Sequence, residues 1–75
     1  MRNKNGMVRY TAIMLLALTK MGYTDTDISL MSGISAPAIR YMKAGERDSI
    51  GVSTISSIEN AVVEALEKEG KNGNN

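Results

Sequence analysis

The side chains able to do polar chemistry are unevenly spread along these 75 residues. Residues 1–47 hold seven cations (Arg2, Lys4, Arg9, Lys20, Arg40, Lys43 and Arg47) against three acids (Asp25, Asp27 and Glu46), a balance of +4. Residues 48–75 hold two lysines against five acids, a balance of −3. A basic half of this kind suits a face that meets a polyanion, and an acidic half suits a face turned to solvent or to a partner. Chance asymmetry in so short a chain is the competing reading. Catalysis is poorly provided for. With neither His nor Cys, the chain lacks the commonest general base, a thiolate nucleophile and the usual zinc ligands. Carboxylate, serine or lysine chemistry stays formally open, but the chain reads as a non-enzyme without cofactor or metal.

Such residues need a scaffold, and the length limits it to one domain. A chain of this size buries only about 60% of the surface its unfolded form exposes, so an isolated core is marginal. No disulfide or metal is available as a staple, which makes self-association the default expectation. The basic start runs into Asn5 and Gly6 without a signal-peptide pattern. The longest uncharged apolar stretch, Thr11 to Thr19, falls far short of the roughly 20 residues that span a bilayer. The expectation is a cytoplasmic protein that does not engage a membrane.

Four helices are expected and no strand, with a fifth helix left open. Residues 1–8 read as a flexible basic arm, 9–69 as the folded domain and 70–75 as a disordered tail. The first helix is expected to start near Arg9 or Tyr10. Tyr10, Ile13, Met14, Ala17, Leu18 and Met21 recur at the spacing of one helical face, and Gly22 supplies the stop. Thr24 is the expected N-cap of a short second helix, with Asp25 and Asp27 in the first turn where the dipole favours anions. Ile28 and Met31 are expected inside, and Gly33 breaks the helix. Ser35 then caps a third helix from Ala36, which tolerates Pro37 in its first turn. Ile39 and Met42 point into the core, and Gly45 ends the helix. A polar loop follows over 46–51. A fourth helix is expected from about Ser53 to Lys68, with Ile55, Ile58, Val62, Ala65 and Leu66 as its stripe. Ser56 and Glu59 have capping-box spacing, which would place its start later.

The segment Thr24–Ala44, TDTDISLMSGISAPAIRYMKA, places two helices of about eight residues on either side of a turn too tight for antiparallel packing. That is the helix-turn-helix unit. Ser29, Gly33 and the apolar set Ile28, Ile34, Ile39 and Met42 occupy its crossing, turn and inner faces. Over roughly residues 9–66 the chain resembles the Cro and phage-repressor (XRE-like) helix-turn-helix family. Gly33-Ile34-Ser35 is similar to the family's turn, and Ala38-Ile39-Arg40 through Gly45 to its third helix and exit. Two positions depart from the pattern. Ser32 stands where an apolar residue usually precedes the turn glycine, and Asp25 stands where the phage repressors often carry a DNA-contacting glutamine.

The resemblance implies a dimeric, sequence-specific DNA-binding regulator, of a phage, prophage or plasmid repressor type, whose third helix enters the major groove. Ala36, Pro37, Arg40 and Tyr41 are then the base-contacting candidates. Arg40 leads, because a guanidinium bonds bidentately to guanine O6 and N7; its ordinary alternative is a solvated surface arginine. Thr24, Ser35, Lys43, Arg47 and Arg9 are the candidates for contacts to the DNA backbone, which position without reading sequence. Leu15, Leu16, Val63, Ala65 and Leu66 are the candidates for the homodimer interface, the alternative being packing within one chain. The partners expected are double-stranded DNA and a second copy, with a regulatory protein left open. The competing reading is a helical protein-interaction module, anti-repressor or antitoxin-like, on the same scaffold.

Overall fold

A computed structural model of the chain describes residues 3–47 and 49–74, with side-chain surroundings for residues 6–47 and 49–70. The architecture is all-α. Among the described residues it comprises α1 (Asn3–Lys20), α2 (Asp25–Ser32), α3 (Ala36–Lys43) and α4 (Val52–Asn74), and no strand. No helix among these residues is long and apolar enough to cross a membrane.

The short pair α2 and α3 is built from local signals. Thr24 and Asp27 form a reciprocal capping box: Asp27 N donates to Thr24 Oγ1 at 3.1 Å, and Thr24 N donates to Asp27 Oδ2 at 2.9 Å. Two of the four orphan amides of the helix start are thereby satisfied. At the other end Gly33 adopts a left-handed conformation (φ 77°), and its amide donates to Ser29 O at 2.8 Å. A side chain there would be strained, which is why glycine serves as the hinge between the helices. Ser32 also has a task in the turn. Its hydroxyl donates to Ile28 O and accepts from Ile34 N, so a polar residue before the glycine ties the turn together instead of packing. Met31, half-buried against the core, makes the apolar contact. Ser35 caps α3 through Ala38 N at 3.3 Å.

The backbone amide of Thr24, and then its hydroxyl, hold the Asp27 carboxyl below its ordinary pKa. A depressed folded-state pKa stabilises the fold fully above the unfolded value near about pH 4, and that stabilisation is lost as pH falls through the folded value. Acid melts are expected to show a shallower loss of stability below about pH 4 in Asp27→Asn than in the parent chain. Identical acid limbs would show that the box contributes nothing to the titration.

The core gathers Met14, Leu15, Leu18, Ile28, Ile39, Met42, Ile55, Ile58, Ala61 and Ala65, which are buried and contiguous. Ile28, Ile39 and Met42 face inward as their spacing predicts. On α1 the buried face differs from the expected one. Val8, Thr11, Met14, Leu15 and Leu18 are buried, whereas Tyr10, Ile13 and Ala17 are exposed. Burial of Val8 and the Thr11 hydroxyl's bond to Met7 O at 2.9 Å extend the packed helix toward the N-terminus. The helix accordingly begins at Asn3 rather than near Arg9. Residues 1–2 of the expected arm lie outside the described residues.

The fourth helix also exceeds its expected bounds. It opens at Val52, with Ile55 N donating to Gly51 O at 3.0 Å, so Ser56 and Glu59 are helix-interior residues and do not form a cap. Gly70, expected to end it, lies within it. Glycine costs only about 1 kcal/mol against alanine inside a helix, and no proline follows to block the next turn. Tyr10 meets Glu59, each the eighth residue of its helix, while Met21, just past the end of α1, lines the same groove as Lys68 and Glu69 further along α4. Chain order is the same in both pairs, so α1 and α4 run parallel.

Candidate nucleic-acid interface

Polar side chains from α1, α2 and α3 meet beside α3. Ile39 and Met42 anchor one side of the helix in the core, which turns Pro37, Arg40, Tyr41 and Ala44 outward. At 100° per residue these four occupy one arc of about 100°. Arg40 has 60% of its side chain exposed. Tyr41 is exposed too, and the Arg47 guanidinium lies over its ring at 5.9 Å from the centroid. That cation–π contact brings Arg47, from beyond the helix, onto the same face. Ala36 is half-buried and less available than the other base-contacting candidates. Thr24 and Ser35 are exposed at the two helix starts, with their hydroxyls engaged in caps.

Lys43 sits differently from the free cation its position in the sequence suggests. Its Nζ lies 2.7 Å from Asp25 Oδ1 and donates to Thr19 Oγ1 at 3.2 Å, with only 20% of the side chain exposed. Arg40 Nη1 lies 3.8 Å from the other Asp25 oxygen. The Lys43–Asp25 contact is an ion pair with Oδ1 buried and off the hydrogen-bond axis. Thr19 and Asp25 thus belong to the electrostatics of this face. The sequence marked Asp25 as a first-turn anion and as a departure from the pattern it resembles, not as a partner of Lys43, and nothing in it marked Thr19. Arg9, exposed on α1, stands apart from the cluster. The helix rises about 15 Å between Arg9 and Thr19, the point where Lys43 meets α1.

The dimer candidates divide. Leu15 and Ala65 are completely buried within a single chain and cannot be interface residues of the folded protein. Leu15 seats against the core because the buried face of α1 is rotated from the expected stripe. Ala65 closes the α4 stripe where a small residue lets the helices approach. Leu16, Val63 and Leu66 are 48%, 51% and 56% exposed. Ile13, on the apolar stripe expected of the first helix, joins them on the outside. Beside them the Tyr10 hydroxyl donates to Glu59 Oε2 at 2.6 Å, a bond that raises the phenol pKa by favouring its protonated form. At 100° per residue Ile13 lies about 60° around α1 from Tyr10, and Val63 and Leu66 lie about 40° and about 20° around α4 from Glu59. These three therefore flank the Tyr10–Glu59 contact, whereas Leu16 lies about 120° from Tyr10.

A groove of about 430 Å³ opens elsewhere, lined among others by Met21, Tyr23, Leu30 and Met31 with Lys68 and Glu69. Among the described residues no three potential metal ligands cluster. Comparison with protein families, with curated proteins and with solved structures finds no match to this chain.

Proposed function

We propose that the protein is a sequence-specific DNA-binding regulator that occupies an operator as a homodimer and represses transcription. The observation that carries this reading is the outer face of α3, where Pro37, Arg40 and Tyr41 stand clear of the core directly after a Ser35-capped start. A helix offered in this way fits the major groove, and the arginine supplies the donor fork that guanine accepts. Arg47, stacked on Tyr41, lies where a phosphate contact would position the helix. A second copy docks through the exposed apolar residues of α1 and α4, Ile13, Leu16, Val63 and Leu66. The outer face of α3 is then left to the DNA in each protomer. The two third helices then address half-sites about one helical turn apart.

Fluorescence anisotropy tests the reading. The duplex lying just upstream of the protein's own gene is titrated beside a scrambled duplex at near-physiological salt. Tighter saturable binding to the upstream duplex, with affinity falling steeply as salt rises, is the expected result. A 1:1 complex protecting fewer than about eight base pairs would refute the dimer. One observation favours a second reading, a protein-interaction module: Leu30 is 81% exposed at the edge of the Met21–Tyr23–Met31 groove. Exposed apolar surface beside a groove is a common mark of a protein partner. Absence of duplex binding even at low salt would make that reading the better one.

A further inference from the structure

The carboxylate that opens α2 deepens the DNA-binding reading and rests on it. Asp25 reaches across to α3 and touches both of that helix's cations, Lys43 at 2.7 Å and Arg40 at 3.8 Å. Lys43 is further fixed by Thr19 on α1. Its ammonium therefore faces into the joint between three helices, and only Arg40 retains a largely free head. A DNA phosphate approaching this corner meets a lysine already neutralised and a carboxylate that repels it.

We propose that Asp25 is an internal stand-in for a DNA phosphate. It occupies Lys43 while its contact to one terminal nitrogen of Arg40 stays long at 3.8 Å, which suppresses sequence-independent backbone binding and leaves Arg40 to the bases. The functional consequence is specificity. Backbone contacts supply nearly all non-specific affinity, so removing one from the binding face lowers the background against which the operator is read. Specificity is a difference between two affinities, and weakening the wrong complex widens it as effectively as strengthening the right one.

Asp25→Asn keeps the shape and removes the charge. Its affinity for the scrambled duplex is expected to rise roughly three- to tenfold, with a log–log salt dependence steeper by about 0.9, as one freed lysine gains one phosphate. Affinity for the upstream duplex is expected to rise less, so the ratio between the two duplexes shrinks. Glu46→Gln makes the same change in net charge at an exposed carboxylate with no cation paired to it among the described residues, and is expected to leave the salt slope unchanged. A second readout needs no DNA. Acylation of lysine amines, mapped by mass spectrometry, is expected to be slow at Lys43 and fast at Lys68, which is 57% exposed with only a long 3.6 Å ion pair to Glu64 on the helix surface. In Asp25→Asn the Lys43 rate is expected to approach that of Lys68.

Equal labelling of the two lysines in the parent protein would overturn the proposal. So would an unchanged salt slope in Asp25→Asn, or the same steepening in Glu46→Gln. If parent and variant both fail to bind any duplex, the DNA-binding reading falls and this role of Asp25 falls with it. Binding by both with equal slopes overturns the role of Asp25 alone.

Discussion

Leu15→Ala is expected to destabilise the fold by about 2–5 kcal/mol, the cost of emptying a filled core site. Leu15 is completely buried among Leu18, Ile28, Ile39 and Ile58. A domain of this length has roughly 4–11 kcal/mol in total, at about 0.05–0.15 kcal/mol per residue. The substitution therefore removes a large fraction of the stability, and each kcal/mol lowers the melting temperature by about 4–8 °C. Leu16→Ala, one residue on, is the informative contrast. Leu16 is half-exposed, so its truncation should leave the isolated monomer within about 0.5 kcal/mol. If Leu16 lies in the dimer interface, Leu16→Ala should instead weaken the dependence of melting temperature on protein concentration. Denaturant and thermal melts at two well-separated concentrations distinguish these outcomes. Equal loss of stability in the two variants would contradict the burial pattern of α1.

The second large effect belongs to Arg40. Arg40→Ala is expected to weaken binding to the upstream duplex by about 1–3 kcal/mol and to relax preference at one base pair. Folding stability should stay within about 0.5 kcal/mol, because the contact to Asp25 is long and the guanidinium largely exposed. Arg40→Lys retains the charge but not the planar fork, and should restore non-specific affinity more than discrimination. Parallel titrations on upstream and scrambled duplexes read both quantities. Equal losses on the two duplexes would reassign Arg40 to a phosphate.

The α2–α3 unit was legible in the sequence because its determinants lie close together. Thr24 with Asp27, Gly33 after Ser29, and Ser35 with Ala38 are pairs three or four residues apart, and each residue type there has a narrow set of structural uses. The inward spacing of Ile28, Ile39 and Met42 was readable for the same reason. The first helix was not. Residues 13–18 are Ile-Met-Leu-Leu-Ala-Leu, apolar in every direction, so periodicity cannot select the buried face. Only the neighbours do, and they placed Leu15 inside and Ile13 outside. Ala65 was misassigned to an interface because a small apolar residue near a helix end looks the same in a tight core contact as on a surface. Asp25 was recognisable as unusual, but its partner Lys43 lies 18 residues further along, too far for local pattern to join them.

The Tyr10–Glu59 bond joins residues 49 positions apart, whereas the bonds that shape the turn around Gly33 span two to four. Closing a loop of the longer span costs roughly 2 kcal/mol more in chain entropy than closing one of four residues. Ordering of the chain should therefore begin at the turn, and docking of α4 along α1 should come late. The same inequality works in reverse for the native protein. Openings that detach α4 are therefore expected to keep the local bonds of the turn while uncovering the α1 surface against which α4 packs.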